Sequence, residues 1–203
     1  MNATDTSRRE AILSATVDEV VKVGFDGTSI QRIAQAAGVS TGLVMYHFKS
    51  KEELVTAAWV AAVKHFSERV TGASEGLTGL RRMENSYRIL FVDRDEETSP
   101  WDLWLELWAK AARSPQLREL HAEQLAHVRA HYTDNLAAAS DDMKAGLDPE
   151  LVGDLLHTLV YGLAVKVTLD SDLIPPERAL QIGRLAIELL RKQPSQDDVS
   201  HLE

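Results

Sequence analysis

The chain has 203 residues, 44% of them hydrophobic, with a formal net charge of −9 and no cysteine. That length holds one large or two small domains, and the missing cysteine excludes a disulfide framework, a thiolate metal site and a cysteine nucleophile. No run of 18 apolar residues marks a membrane span, and the start, MNATDTSRRE, lacks the apolar core of a secretory signal, so a soluble cytoplasmic protein is expected.

Taken in order, residues 1–6 read as a loose polar arm. Ser7 to Val23 reads as an amphipathic helix with Ile12, Leu13, Val17, Val20 and Val21 inward. Gly24-Phe25-Asp26-Gly27 ends it and turns the chain. Thr28, with Gln31 three residues later, can form a capping box for a short helix whose apolar face is Ile30, Ile33, Ala34 and Ala37. Gly38 stops that helix and Ser40 caps another, with Val44 and Phe48 on its inner face. Ser50 and Glu53 start a long third helix through Leu54, Ala58, Val63, Phe66 and Val70.

Beyond the glycine-rich break at 72–79, the apolar spacing predicts five further helices. The first runs through Leu80, Met83, Tyr87, Leu90 and Phe91, and a polar loop over 93–100 follows it. Next come Trp101 to Ala112, and then a long helix from Pro115 through Leu125, Tyr132 and Leu136. After a loop over 140–148, Pro149 opens a helix through Leu151, Leu155, Leu159, Leu163 and Val167. The last spans Ala179 to Leu190, and a polar tail, expected to be disordered, occupies 194–203. The fold class is all-α, with about nine helices and no strand. A helix-turn-helix domain over 1–52 is expected to precede a helical domain over 53–193.

A small residue at Ala34, a glycine at Gly38 and an apolar plug at Val44 are the layout of a helix-turn-helix. The second helix, Thr41 to Phe48, would enter the major groove. With Val44 and Phe48 inward, Thr41, Gly42, Leu43, Met45 and Tyr46 point outward. Thr41 and Tyr46 can hydrogen-bond base edges, and Leu43 and Met45 can meet thymine methyls. Gly42 permits close backbone approach, and Gln31 can reach adenine or a phosphate. Tyr46 and His47 have a plainer reading as packing for the three-helix core. The charge is compatible with this placement: residues 1–51 hold six Lys/Arg against five Asp/Glu, leaving −10 on the remainder.

The run Thr28, Ile33, Ala34, Ala37-Gly38-Val39-Ser40, Tyr46-His47-Phe48 and Ser50-Lys51-Glu52-Glu53-Leu54 resembles the N-terminal domain of the TetR family of transcriptional repressors. The resemblance covers about residues 8–55. It implies phosphate contacts from Thr28, Ser29, Tyr46, His47 and Lys51, and a double-stranded palindromic operator read by a homodimer.

In the second half the most unusual stretch is Trp101-Asp102-Leu103-Trp104-Leu105-Glu106-Leu107-Trp108, three of the chain's four tryptophans on one helical face. Core filling is one reading. The other is that Trp101, Trp104 and Trp108 line an effector pocket with Glu106 as its carboxylate, suited to a small cation. Tyr132, His157 and Tyr161 are further pocket candidates, with core packing as the alternative. WLELWAKAARSPQLREL looks like the C-terminal domain of the BetI-like, choline-sensing branch of the TetR family. His127 and His131, four apart, have a spacing that can bind metal, and His121 and His157 could join them, but no Cys ligand or HExxH pattern accompanies them and a solvated or core-edge face is the plainer reading; no metal or cofactor is expected.

The last two helices are apolar over much of their circumference, which calls for partners on several sides. A second subunit is the natural one, and the resemblance implies dimerisation through these helices. The expected function is therefore a ligand-responsive transcriptional regulator, a repressor by family. The rivals are a protein-interaction adaptor and an enzyme with a vestigial helix-turn-helix, though no nucleophile–base or paired-acid motif stands out.

Overall fold

A computed structural model describes residues 3–93 and 100–192. Most of the loop expected at 93–100, and the tail expected at 194–203, lie outside the described residues. Nine α-helices and one 3₁₀ turn are present among those described. They are α1 (Ala3–Gly27), α2 (Ile30–Ala36), α3 (Thr41–His47), α4 (Lys51–Ala73), α5 (Gly79–Phe91), α6 (Pro100–Ala111), α7 (Pro115–Ala137), α8 (Pro149–Leu169) and α9 (Pro176–Leu190). The chain forms two compact units: residues up to 69 with 100–122, and residues 70–93 with 123–192. This division differs from the boundary expected at residue 52, because α6 packs on α1 and so joins the first unit.

In the first unit, α1 begins at Ala3 rather than Ser7, with Asp5 favourably placed against the dipole of its first turn. The helix breaks at Gly24, whose φ of 73° and ψ of 167° lie outside helical values. Ile12 and Leu13 of α1, Ile33 and Ala34 of α2, Val44 of α3, Phe48, and Leu54 and Ala58 of α4 form one core. That cluster is the apolar set the spacing predicted for these helices, and it fixes the angle between α2 and α3.

In the second unit, α5 and α9 share the most extensive packing, and α9 also lies along α8. The closeness depends on Gly183, where an added Cβ would overlap the Tyr87 ring. The Tyr87 hydroxyl donates to the Leu156 carbonyl at 2.7 Å, tying α5 to α8. Arg129 of α7 bridges Asp154 and Glu150 of α8. A single antiparallel bridge joins Met143 to Arg191, with Lys144 N–H donating to the Leu190 carbonyl and Lys192 N–H to that of Asp142.

One expectation is corrected here. The core face of α8 carries Val152, Leu156, Val160, Leu163 and Val167, whereas Leu151 and Leu155 are exposed. A helix apolar on most sides offers period 3.6 more than one solution. For the same reason α8 is, by length and composition alone, one described helix that could cross a membrane. In this fold it is a core helix of the second unit, and its Asp154 and Lys166 are paired with Arg129 and Asp170.

Candidate nucleic-acid interface and effector site

The helix-turn-helix is built on four helix ends. Ser29, not Thr28, caps α2, its hydroxyl accepting from Arg32 N–H at 3.3 Å. Thr28 is buried and its hydroxyl donates back to the Gly24 carbonyl at 2.8 Å. Both hydroxyls fit the cap pattern, and the glycine break decides between them by leaving a carbonyl for Thr28 to satisfy. At the far end of α2, Gly38 takes φ 65°. Val39 N–H donates to the Ala34 carbonyl and Gly38 N–H to that of Gln35, the paired bonds of a Schellman stop. Ser40 caps α3 through Leu43 N–H at 3.2 Å. Ser50 caps α4 through Glu53 N–H, and the Glu53 carboxylate returns to Lys49 N–H at 2.8 Å.

These ends leave α3 with two distinct sides. Val44 and Phe48 are fully buried. Thr41, Gly42, Met45 and Tyr46 are exposed, Tyr46 at 77%, and Leu43 is half-buried. Gln31 on α2 is also exposed, and Ser29 is half-buried.

Three residues expected at phosphates sit otherwise. Thr28 is turned inward, as above. The His47 side chain is only 6% exposed, with Nε2 at 3.4 Å from Asp5 Oδ1, in ion-pair range but out of hydrogen-bond alignment. Lys51 donates from Nζ to the carbonyls of Phe25 (3.1 Å) and Thr28 (3.2 Å) and lies 4.7 Å from the Phe25 ring centre. Arg32 is paired with Glu19 at 2.7 Å. Lys49, outside the sequence expectations, is exposed, follows the Phe48 cap of α3 and has no ion pair among the described residues. Its position between Phe48 and the Ser50 cap was the available signal.

The expected effector set divides between the two units. In the first, Phe66 of α4 meets Trp101 and Trp104 of α6, each at 5.8 Å between ring centres, and those two tryptophans lie 6.1 Å apart. Trp108 donates from Nε1 to His121 Nε2 at 3.1 Å, and the His121 ring stacks on Trp59 at 6.4 Å. Burial holds His121 below the usual histidine range. Trp59, which the periodicity reading passed over, is fully buried. Glu106 accepts the Phe25 N–H at 3.1 Å, so its carboxylate is engaged with the α1 break.

In the second unit, His157 lies 5.6 Å from Tyr132, ring edge to face, and 4.4 Å from Tyr161. Burial raises both phenols, Tyr161 to about 12. His131 is half-buried and held low chiefly by burial, while His127 is exposed. Among the described residues no three His, Cys, Asp or Glu stand together as metal ligands.

Comparison with known proteins gives this geometry a family. The profile of bacterial regulatory proteins of the tetR family matches residues 12–58. That of the C-terminal domain of BetI-type transcriptional repressors matches residues 80–192, more than half of the chain. The HTH-type transcriptional regulator BetI of Yersinia pestis (strain Pestoides F) is 28% identical over 187 residues, 89% of this chain and 91% of that one. BetI of Serratia proteamaculans (strain 568) is 28% identical over 165 residues, 80% of this chain and 81% of its own. Among solved structures, a TetR-family transcriptional regulator from Rhodococcus sp. superposes with a TM-score of 0.80 at 28% identity, over 92% of this chain and all of that one. A transcriptional regulator from Saccharomonospora viridis in complex with choline has the same fold, with a TM-score of 0.82 at 19% identity over 93% of this chain and 100% of its own. The chain therefore belongs to the TetR family of bacterial regulatory proteins, with a BetI-type C-terminal domain, and is a ligand-responsive DNA-binding regulator of transcription rather than an enzyme.

Proposed function

We propose that the protein is a homodimeric repressor that reads a palindromic operator with α3 and leaves it on binding a small cationic effector. The observation that carries the DNA part is the two-sidedness of α3, with Val44 and Phe48 buried while Thr41, Gly42, Met45 and Tyr46 are exposed. Residues 1–52 act as the reading head. Thr41, Leu43, Met45 and Tyr46 face base edges, and Gly42 admits the backbone. Gln31, Ser29 and Tyr46 meet the phosphate flank, and Lys49 joins them. The helix-starting N–H groups beside Lys51 supply a further anion contact. Residues 53–193 bind effector and pair the subunits through α8 and α9. Cytoplasmic localisation follows from that role, because the operator is there.

A cation as effector is supported by the aromatic rings of Phe66, Trp101 and Trp104 and by the choline held by the Saccharomonospora viridis relative. Tyr132, His157 and Tyr161 form the second candidate lining. Titrating choline against the protein–operator complex, with Trp104→Leu and Tyr161→Leu, separates the two linings. A ligand releases DNA only as far as it prefers the released conformation. Equal operator affinity with and without choline would remove choline as effector.

The primary test is selection of DNA fragments by the purified protein, read by sequencing. Enrichment of a two-fold palindrome is the expected result. No enrichment at low salt from folded protein would return the adaptor reading to first place.

A further inference from the structure

The break in α1 is held from two other helices, and all the contacts fall within the first unit. The Phe25 N–H, next to the non-helical Gly24, is a backbone donor that must find an acceptor. Glu106 of α6 supplies one, accepting that N–H at 3.1 Å. One turn further along α6, Lys110 pairs with Asp26 at 2.6 Å and lies 4.5 Å from the centre of the Phe25 ring. On α4, Lys51 lies 4.7 Å from the same ring centre and donates to the carbonyls of Phe25 and Thr28. Residues 25–28 are the whole connection from the break to the Ser29 cap of α2. The segment that aims the helix-turn-helix is thus gripped by α6 through a charged hydrogen bond, an ion pair and a cation–ring contact.

We propose that Glu106 and Lys110 are positioning residues for operator recognition: by fixing the Phe25–Thr28 turn against α6, they set the attitude of the reading head. Glu106 then serves the α1 break rather than an effector, and α6, the helix that carries three tryptophans, has a connection to the DNA side besides continuous α4. The proposal rests on the reading of α3 as the operator-binding helix.

The test uses the full chain and the operator recovered by selection. Glu106→Leu removes the acceptor, Glu106→Gln keeps one, and Lys110→Met keeps the aliphatic stem without the charge. Three readouts are taken: hydrogen exchange at the Phe25 amide, the thermal midpoint, and operator affinity across a salt series. Glu106→Leu is expected to lose Phe25 protection and to weaken operator binding about tenfold, within the usual span of a coupling between sites. Its salt slope should match that of the parent, since no phosphate contact is removed. Glu106→Gln should recover most of the affinity, and Lys110→Met should show a smaller loss of the same kind. Undiminished affinity in Glu106→Leu would overturn the proposal while leaving the DNA reading intact. So would equal losses in Leu and Gln variants that track a fall in thermal midpoint. A parent protein that selects no DNA would overturn the functional reading itself, whereas the exchange readout needs no DNA.

Discussion

Gly42 occupies a helical position where alanine would fit. A methyl group there would meet only Ser40 Oγ, at an ordinary 3.8 Å. Alanine should therefore favour α3 by up to about 1 kcal/mol, raising the thermal midpoint by roughly 2–4 °C. If the backbone at Gly42 approaches DNA closely, the same methyl costs affinity, about tenfold for one lost base contact. A Gly42→Ala protein that melts higher and binds its operator undiminished would remove the close approach. His121 makes a second residue-scale prediction. Its Nε2 accepts the Trp108 N–H, so the ring is neutral, with its proton on Nδ1. Burial lowers its pKa, so the unfolded chain takes up the proton first as pH falls. The associated stability is whole above about pH 6.5, the unperturbed value, and drains away below it. Thermal midpoints measured from pH 7.5 to 5 should fall, and less steeply in His121→Gln, whose amide oxygen can still accept from Trp108. Some slope should remain, because His131 is lowered in the same direction. Identical slopes in parent and variant would acquit His121.

At the scale of elements, α9 reaches α5 because Gly183 lets it. A Cβ there would overlap the Tyr87 ring, and that ring is held by its bond to the Leu156 carbonyl. Gly183→Ala, a change that stabilises an exposed helix, should here cost about 1–3 kcal/mol through overpacking. Tyr87→Leu in the same chain should relieve part of that, a coupling that urea denaturation can measure. A neutral single substitution would mean that the helices separate without penalty. The capped starts of α3 and α4, the Gly38 stop and most of the inner faces of the first four helices were legible in the sequence, because local bonds and spacing between near neighbours decide them. The cap of α2 was not, since Thr28 and Ser29 are both good caps and only the Gly24 carbonyl separates them. The core face of α8 was ambiguous for the opposite reason, an excess of apolar residues. Glu106 illustrates a further limit. Its partner Phe25 lies 81 residues away, and no periodicity reports a bond across that distance.

For the whole molecule, the decisive feature is what α8 and α9 leave uncovered. Leu151 and Leu155 on α8, and Leu185 and Leu189 on α9, are 54% to 67% exposed, each pair one helical turn apart. The two helices pack side by side. Four large leucines on neighbouring helices are more than the scattered apolar exposure of an ordinary monomer surface. A second copy of the chain would cover them by two-fold symmetry. Leu155→Asp with Leu189→Asp should sediment as a folded monomer. It should also lose most operator affinity, because two half-sites are then no longer held by one particle. An unchanged dimer would move the interface elsewhere on the surface.

The outward face of α3 has a kinetic consequence. It carries no charged side chain, Arg32 nearby is neutralised by Glu19, and the chain as a whole is at −9. Sliding along DNA depends on a cationic surface that follows the phosphates without regard to sequence. With so little of it, encounters away from the operator should be brief and the search should run through repeated collisions from solution. Selectivity would then reside in how long the protein stays once Tyr46 and its neighbours find matching bases, and single-molecule tracks on long DNA should show short pauses and few one-dimensional runs.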